Sequence, residues 1–428
     1  MTQRYDTYKD SGVQWLGEIP GHWGCVRLKN VCTGFSNGTT ADQVDFLDGT
    51  VSVTRIETIS KGIINYEKVG HVQYSNNLLN YRLQVGDILF SHINSYERVG
   101  NCALYEGEHP LYHGMNLMRI TPISKFAHYK FIHYYLISPL FLKQVQLKCK
   151  PAINQVSIPG KYVKDLRLNL PPLSEQRSIV SFLDAKCGKI DEWVTKKQKE
   201  VEHLQELKQR VIADAVTRGL NPYVKMKATN IPWLKEIPEH WEMSKISSHF
   251  RQRNEKVSDK DYPALSVSKQ GVTPQLDNVA LSNAEGASRK LVKVGDYAVN
   301  SRSDRKGSCG VSKYEGSVSL ITIVLEPFNI NGEYVHYLFR SNPWVEEFYR
   351  NGRGIVADLW TTNYQMMKSM YMPVPPLSEQ RSIVSYLDSK CSKIDKLIAN
   401  ITKEIECIKE YKQRLISDVV TGQIKVNQ

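Results

Sequence analysis

Residues 171–194 and 375–398 are nearly the same sequence. The first reads PPLSEQRSIVSFLDAKCGKIDEWV and the second PPLSEQRSIVSYLDSKCSKIDKLI, with 18 of 24 positions identical at an offset of 204. The match runs on without a gap, ELKQRVIADAVT at 206–217 facing EYKQRLISDVVT at 410–421. A second repeat lies upstream: WLGEIPGHW at 15–23 and WLKEIPEHW at 233–241. Weaker echoes pair Val85-Gly86-Asp87 with Val294-Gly295-Asp296, and Tyr105-Glu106-Gly107 with Tyr314-Glu315-Gly316. A chain with this self-similarity is two copies of one unit, a variable globular part followed by a near-invariant tail. The natural segments are 1–170, 171–220, 221–374 and 375–428.

Both tails read as long helices. Pro-Pro stops whatever precedes it. Ser174 and Ser378 are placed as N-caps, with Glu175 and Glu379 in the first turn, where the helix dipole favours negative charge. No proline follows until Pro222 in the first copy, and none follows in the second. Gly219 and Gly422 mark the ends. Gly188 costs about 1 kcal/mol relative to alanine, which a long helix absorbs. Apolar residues keep a seven-residue beat: Ile394, Ile401, Ile408 and Leu415 on one position, Leu397 and Tyr411 on the partner position. In the first copy Ile190, Leu204 and Val211 take the first position, Trp193 and Leu207 the second. Each tail then makes a helix of about 44 residues, roughly 65 Å at about 1.5 Å per residue. The expected fold class is α+β: two mixed α/β domains separated by two long antiparallel coiled-coil helices with pseudo-two-fold symmetry. In the domains, β-rich runs at 86–91 and 319–325 precede helical stretches at 127–137 and 332–339.

At 428 residues the chain is too long for one core, and two or three domains are expected. No apolar run is long enough to span a membrane and the N-terminus is polar, so a cytoplasmic protein without membrane contact is expected. The eight cysteines form no C-x-x-C pair, which argues against zinc and against a disulfide framework. The formal net charge is +12. Segments 1–170 and 221–374 carry +5 and +4 of it, while the tails carry only +1 and +2. The excess sits on the globular parts, which favours a polyanionic partner without proving one.

The doubled P-P-L-S-E-Q-R segments at 171–177 and 375–381, each leading into a long helix, resemble the specificity subunits of type I restriction-modification systems. The W-L-x-E-I-P-x-H-W and V-G-D segments also match, and the resemblance spans essentially the whole chain. It implies that each globular segment is a target recognition domain reading one half of an asymmetric bipartite site on double-stranded DNA. It implies that the tails form a spacer and dock two methyltransferase subunits, with restriction-translocase subunits joining the larger assembly. S-adenosylmethionine, ATP and Mg²⁺ are then expected on those partners, and no cofactor on this chain.

Target domains vary, so DNA-contacting candidates follow from side-chain chemistry. Arg, Lys, Asn and Gln read base edges, Ser and Thr assist, and cations bind phosphate. After Val85-Gly86-Asp87 and a short strand come Ser91, His92, Asn94, Ser95 and Arg98; after Val294-Gly295-Asp296 come Arg302, Ser303, Arg305 and Lys306. Equivalent loops with different polar contents suit two readers of different sequences. Lys150, Asn154 and Gln155 in one copy, and Arg350, Asn351 and Arg353 in the other, precede the Pro-Pro tail by similar distances. Arg55 and Lys269 follow predicted strands, although Arg55 suits a structural ion pair equally well. Trp15, Trp23, Trp233 and Trp241 read as core anchors, and His22 and His240 as structural.

No G-x-x-x-x-G-K-[ST] loop, H-E-x-x-H or clustered Cys/His set occurs. Asn342-Pro343-Trp344 only partly echoes the Asn-Pro-Pro-aromatic tetrad of amino-methyltransferases. The expectation is a non-catalytic DNA-recognition subunit; the rival is a coiled-coil scaffold that binds only protein. Basic excess and polar loops on the two divergent segments favour the first.

Overall fold

A computed structural model describes residues 4–60, 62–152, 155–275, 288–354 and 360–426. Helices among them are α1 (Tyr129–Leu136), α2 (Pro139–Lys148), α3 (Gly160–Asp165), α4 (Leu173–Arg218), α5 (Gly332–Arg340), α6 (Asn342–Arg350), α7 (Tyr364–Met367) and α8 (Leu377–Val420). The fold is mixed helix and strand with two long helices, as the repeat requires. The chain forms two compact units, Met1–Lys197 with Lys403–Gln428, and Gln198–Thr402. The division falls inside both long helices, so each unit holds part of each.

Unit 1 is built on a four-stranded antiparallel sheet in the order Cys102–Leu104, Ile88–Phe90, Met118–Pro122, Cys32–Asn37. Unit 2 repeats it as Cys309–Val311, Tyr297–Asn300, Thr322–Pro327, Phe250–Gln252. The order is the same although the sequences diverge. A helix pair follows in each unit. Ser138 caps α2, with Pro139 preorganising its first turn, and the Asn331 side chain accepts from the Glu333 and Tyr334 amides to cap α5. The apolar stripe of α1 (Phe131, Ile132, Tyr135, Leu136) packs into one core with Ile88, Phe90 and Ile120. Tyr334, Val335, Leu338 and Phe339 of α5 do the same with Tyr297, Val299 and Leu325. Gly24–Arg27 pairs with Arg167–Leu170, and Glu242–Lys245 with Tyr371–Val374, bringing the two ends of each domain together before the Pro-Pro step.

The tail helices complete both cores. In unit 1, Ile179, Val180, Leu183 and Cys187 of α4 share a core with Leu415, Ile416, Val419 and Val420 of α8. The Lys412 ammonium lies 2.7 Å from Asp191 of α4. The Asn169 amide, four residues before α4, donates to the Val420 carbonyl near the end of α8 (3.0 Å), so the two stretches run antiparallel. In unit 2, Ile212, Ala215 and Val216 of α4 meet Ile383, Leu387 and Cys391 of α8, and Lys208 lies 2.7 Å from Asp395. Each pair in one unit is its counterpart in the other shifted by 204. The carbonyl equivalent to that of Val420 belongs to Val216, and there the Tyr334 hydroxyl donates to it, at 3.2 Å. One requirement, an orphan carbonyl at a buried helix end, is met by two different side chains.

Glycine ends both long helices in the left-handed region: Gly219 at φ +77° and Gly422 at φ +79°. Their starts differ from expectation. The Gln176 and Gln380 amides donate to the Pro172 and Pro376 carbonyls, both at 2.9 Å, so the prolines occupy the cap positions. Ser174 and Ser378 lie inside the first turn, exposed. The heptad partner position also shifts. Leu397, Tyr411 and Leu207 are 45%, 53% and 46% exposed, whereas Ile405 is buried. The buried stripe runs at four then three residues from Ile401, not three then four.

The repeated motifs meet each other. Glu175 lies 2.8 Å from His22 and accepts from the Tyr5 hydroxyl; Glu379 lies 2.7 Å from His240 and accepts from the Trp241 indole at 3.0 Å. Gln176 and Gln380 are buried. Their side-chain oxygens accept from the backbone amides of His128 (2.7 Å) and Asn331 (2.9 Å), the caps of α1 and α5. Their amide groups donate to the Pro171 and Pro375 carbonyls at 2.9 and 2.8 Å. Gln176→Ala and Gln380→Ala strand these groups in a dry site, at about 1–3 kcal/mol for each buried polar group left unpaired. Each variant should lower the melting transition of its own unit, with increased amide exchange confined to the head of α1 or α5; an unchanged transition would count against the clamp.

Candidate nucleic-acid interface

Three separate stretches of unit 1 come together as one small sheet. Lys150–Ala152 pairs with Gln155–Ser157, which pairs with Ile93–Asn94 through Val156↔Asn94 and Ser157↔Ile93. Unit 2 builds the same arrangement with isolated bridges: Arg353↔Thr361 and Arg302↔Thr361. Further backbone bonds correspond. The Ile158 amide donates to the His92 carbonyl (2.9 Å), as Thr362 does to Ser301 (3.0 Å); Ser91 donates to Asn101 (2.8 Å), as Asn300 does to Ser308 (2.9 Å). The loop after the V-G-D strand is therefore pinned in both units by the segment that precedes the tail. The candidates near 91–98 and 150–155 share one surface, and those near 302–306 and 350–353 share another.

Side chains on these surfaces divide into frame and free groups. Ser91 is fully buried, and its hydroxyl accepts from the Asn94 amide at 3.1 Å. The Asn94 oxygen accepts from the Ser95 amide at 2.9 Å, which closes the loop, and the Ser95 carbonyl accepts from the Arg98 and Val99 amides. His92 is buried, and burial lowers its pKa, so it offers no charge to phosphate at neutral pH. Ser91 and His92 thus build the loop rather than face outward, while the half-buried Asn94 braces it through both ends of its amide. Arg98, Lys150 and Gln155 are exposed, and the Lys150 ammonium sits 5.6 Å from the Tyr162 ring. Asn154 lies outside the described residues. Arg55 is exposed at the head of the 3₁₀ turn Ile56–Ile59, and the ion pair considered for it is absent among the described residues.

In unit 2, Arg302 pairs with Asp304 at 3.0 Å, Lys306 with Glu346 at 3.0 Å and Arg350 with Glu347 at 3.1 Å. The Asn351 side chain donates to the Glu347 carbonyl at 2.8 Å. Ser303 opens a 3₁₀ turn, Ser303–Arg305, and its amide donates to the Trp360 carbonyl at 2.9 Å. Arg305 and Arg353 are exposed. Lys269 occupies the two-residue turn between Leu265–Ser268 and Gly271–Pro274. That hairpin packs beside the strand Cys309–Val311: a Cβ on Gly310 would lie 2.9 Å from the Gly271 Cα, so only glycine permits the approach. Sequence reasoning passed over Gln270 in the same turn and the exposed aromatics Tyr96 and Trp360. Both aromatics stand within the polar segments singled out, and an aromatic among cations was the available signal.

A groove of about 1090 Å³ in unit 1 includes Lys130, Tyr134, Asp184, Cys187, Asp191 and Lys412 in its lining. Unit 2 repeats it at about 600 Å³ with Tyr337, Asp388, Cys391, Asp395 and Lys208. The groups satisfy one another: the Tyr134 and Tyr337 hydroxyls donate to Asp184 and Asp388, both at 2.7 Å, and each lysine holds an aspartate. Among the described residues no group of three or more His, Cys, Asp or Glu side chains is placed to hold a metal ion, and no helix is long and apolar enough to cross a membrane.

Two units with one backbone frame and different exposed polar contents define a duplicated recognition protein. A model of the type I restriction modification DNA specificity domain matches residues 20–217. The chain is 31% identical over 434 residues to the type I restriction enzyme MjaX specificity subunit of Methanocaldococcus jannaschii, covering 96% of each. It is 24% identical to that organism's MjaVIII specificity subunit, over 68% of this chain and 70% of the relative. A solved chain from work on complex assembly and conformational transition of the type I R-M system shares the fold, with a TM-score of 0.68 and 17% identity, over 94% of this chain and 98% of that one. The chain belongs to the family of type I restriction enzyme specificity subunits.

The frame of the second surface leans on one hydroxyl. Tyr349, at the end of α6, donates to the Asn300 carbonyl (3.0 Å) and approaches the Arg305 carbonyl (3.3 Å). Tyr349→Phe removes both contacts with little loss of packing, at about 1 kcal/mol. Hydrogen exchange should rise across 301–308 while the sheet of unit 2 keeps its protection; unchanged exchange there would show that the hydroxyl is not the anchor.

Proposed function

We propose that this chain is the non-catalytic DNA-reading subunit of a type I restriction-modification complex, each unit reading one half of a bipartite site on duplex DNA. The observation that carries this reading is the pair of surfaces held by the same backbone bonds and bearing different side chains. A frame fixed by main-chain groups lets side chains change without loss of fold, which is what two readers of unlike half-sites need. The basic excess on both domains supplies the sequence-independent attraction. On this reading Arg55, Arg98, Lys150, Gln155, Lys269, Arg305 and Arg353 reach DNA. Ser95, Ser303, Arg302, Lys306 and Arg350 shape or neutralise the loops around them.

The tails dock the partners. Glu175, Gln176 and their counterparts are spent on the fold, but Ser174, Arg177, Ser378 and Arg381 are exposed, and neither arginine has an ion pair among the described residues. Identical exposed groups at equivalent places fit two copies of one partner, the methyltransferase subunit, with restriction-translocase subunits added to the assembly. S-adenosylmethionine, ATP and Mg²⁺ act on those subunits.

Two experiments test this. The complex with methyltransferase subunits should select a bipartite sequence from random duplexes, with affinity falling steeply with salt; replacing residues 25–150 with the matching segment of another family member should change one half-site only. No affinity above nonspecific background at any sequence would favour a protein-only scaffold. Arg177→Glu with Arg381→Glu should abolish co-purification of the methyltransferase while melting is unchanged, and retained co-purification would remove these residues from the dock.

A further inference from the structure

We propose that Arg305 and Arg353 read guanine bases in the half-site bound by unit 2; the inference rests on the DNA-reading role above. Segments 302–306 and 350–353 carry five cations, and their neighbours separate them. Arg302, Lys306 and Arg350 each have a carboxylate within 3.1 Å, from Asp304, Glu346 and Glu347. A carboxylate partner partly neutralises a cation and occupies some of its donors, so it has less to offer an acceptor on DNA. Arg305 and Arg353 are exposed and form no ion pair among the described residues.

Their main chains are held while their side chains are not. The Arg353 amide and carbonyl both bond Thr361, at 3.1 Å each, and the same threonine forms the bridge to Arg302. The Arg305 carbonyl accepts from the Ser308 amide at 3.1 Å and lies 3.3 Å from the Tyr349 hydroxyl. A fixed root with a free planar fork suits directional recognition, because less order has to be imposed on binding. Guanine is the base whose major-groove edge presents two acceptors, N7 and O6, and the guanidinium offers two parallel donors to match. Phosphate would also accept an arginine, but a phosphate contact carries no base preference. The alternatives therefore differ in what a substitution does to sequence choice.

The test uses the full chain assembled with its methyltransferase subunits and duplexes randomised over both half-sites. Arg305→Gln and Arg353→Gln should each lose about ten-fold or more of the discrimination at one guanine position of the second half-site, with the first half-site intact. That intact first half-site doubles as the check that the variant is folded and assembled. Arg305→Lys and Arg353→Lys should keep more affinity yet lose the same discrimination. Lys306→Gln and Arg350→Gln should leave the selected sequence unchanged. An unaltered second half-site in both arginine variants overturns the proposal. So does uniform weakening over all sequences with a shallower salt dependence, which marks a phosphate contact. A wild-type complex that selects no sequence overturns instead the DNA-reading role beneath it.

Discussion

Gln176 and Gln380 are buried at the heads of the two long helices, and each bonds a backbone amide and a backbone carbonyl at once. A side chain there must donate and accept at once, with a reach that spans from the Pro-Pro carbonyl to the amide capping α1 or α5. Glutamine does this; glutamate lacks the donor and leucine lacks both. The preceding glutamate binds the histidine of the W-L-x-E-I-P-x-H-W motif, so the two motifs repeated most faithfully are the two sides of one contact. Their repetition follows from a hydrogen-bond requirement that must be met twice, because each tail helix has to be set onto its own domain.

Downstream of that clamp the constraint relaxes, and the domains show where. The central sheets keep one strand order while their sequences differ, because main-chain bonds define the order and many apolar sets can fill the core. The candidate surfaces extend the same logic to function. Thr361 in unit 2 and Val156 with Ser157 in unit 1 make equivalent backbone pairings, and the side chains beside them carry different chemistry. One unit presents Arg98, Gln155 and a lysine beside a tyrosine ring, the other Arg305 and Arg353. Specificity can then diverge without disturbing what holds the loop.

Two kinds of feature are legible in the sequence: those with a local cause and those written twice. The helix ends at Gly219 and Gly422 follow from residues acting on their own neighbourhood, while the repeated motifs, with the buried Trp23 and Trp241, show as a pattern although their contacts are remote. The heptad is half legible: Ile401 and Leu415 are buried as expected, but Leu397, three places along from Ile394 as a coiled-coil template asks, is exposed. The packing uses the residue four along instead, and Lys208 and Lys412 sit there with their ammonium groups on aspartates, a polar solution that a hydrophobic count overlooks. The candidate loops were located by composition, but composition is blind to direction. Ser91 and His92 point inward because a pairing with residues some sixty positions away turns the strand, and no local signal encodes a contact so remote.

The tails also explain why unit 1 is not a stretch of contiguous chain. The stripe Ile179, Val180, Leu183 and Cys187 is apolar on a helix that would otherwise face water, and residues 415–420, more than two hundred positions later, help to cover it. The reciprocal cover, Ile383, Leu387 and Cys391 against Ile212, Ala215 and Val216, is formed in the other unit. Burying such a side chain is worth about 1.5–3 kcal/mol, so each helix pairing contributes on the scale of a whole domain's net stability. A chain cut between its repeats would leave the first stripe without its distant cover, exposed to solvent and open to another apolar helix. Duplication within one chain thus supplies each core with a stretch of both tail helices: the core of unit 1 is complete only when residues 415–420 are in place, and that of unit 2 only when residues 383–391 are.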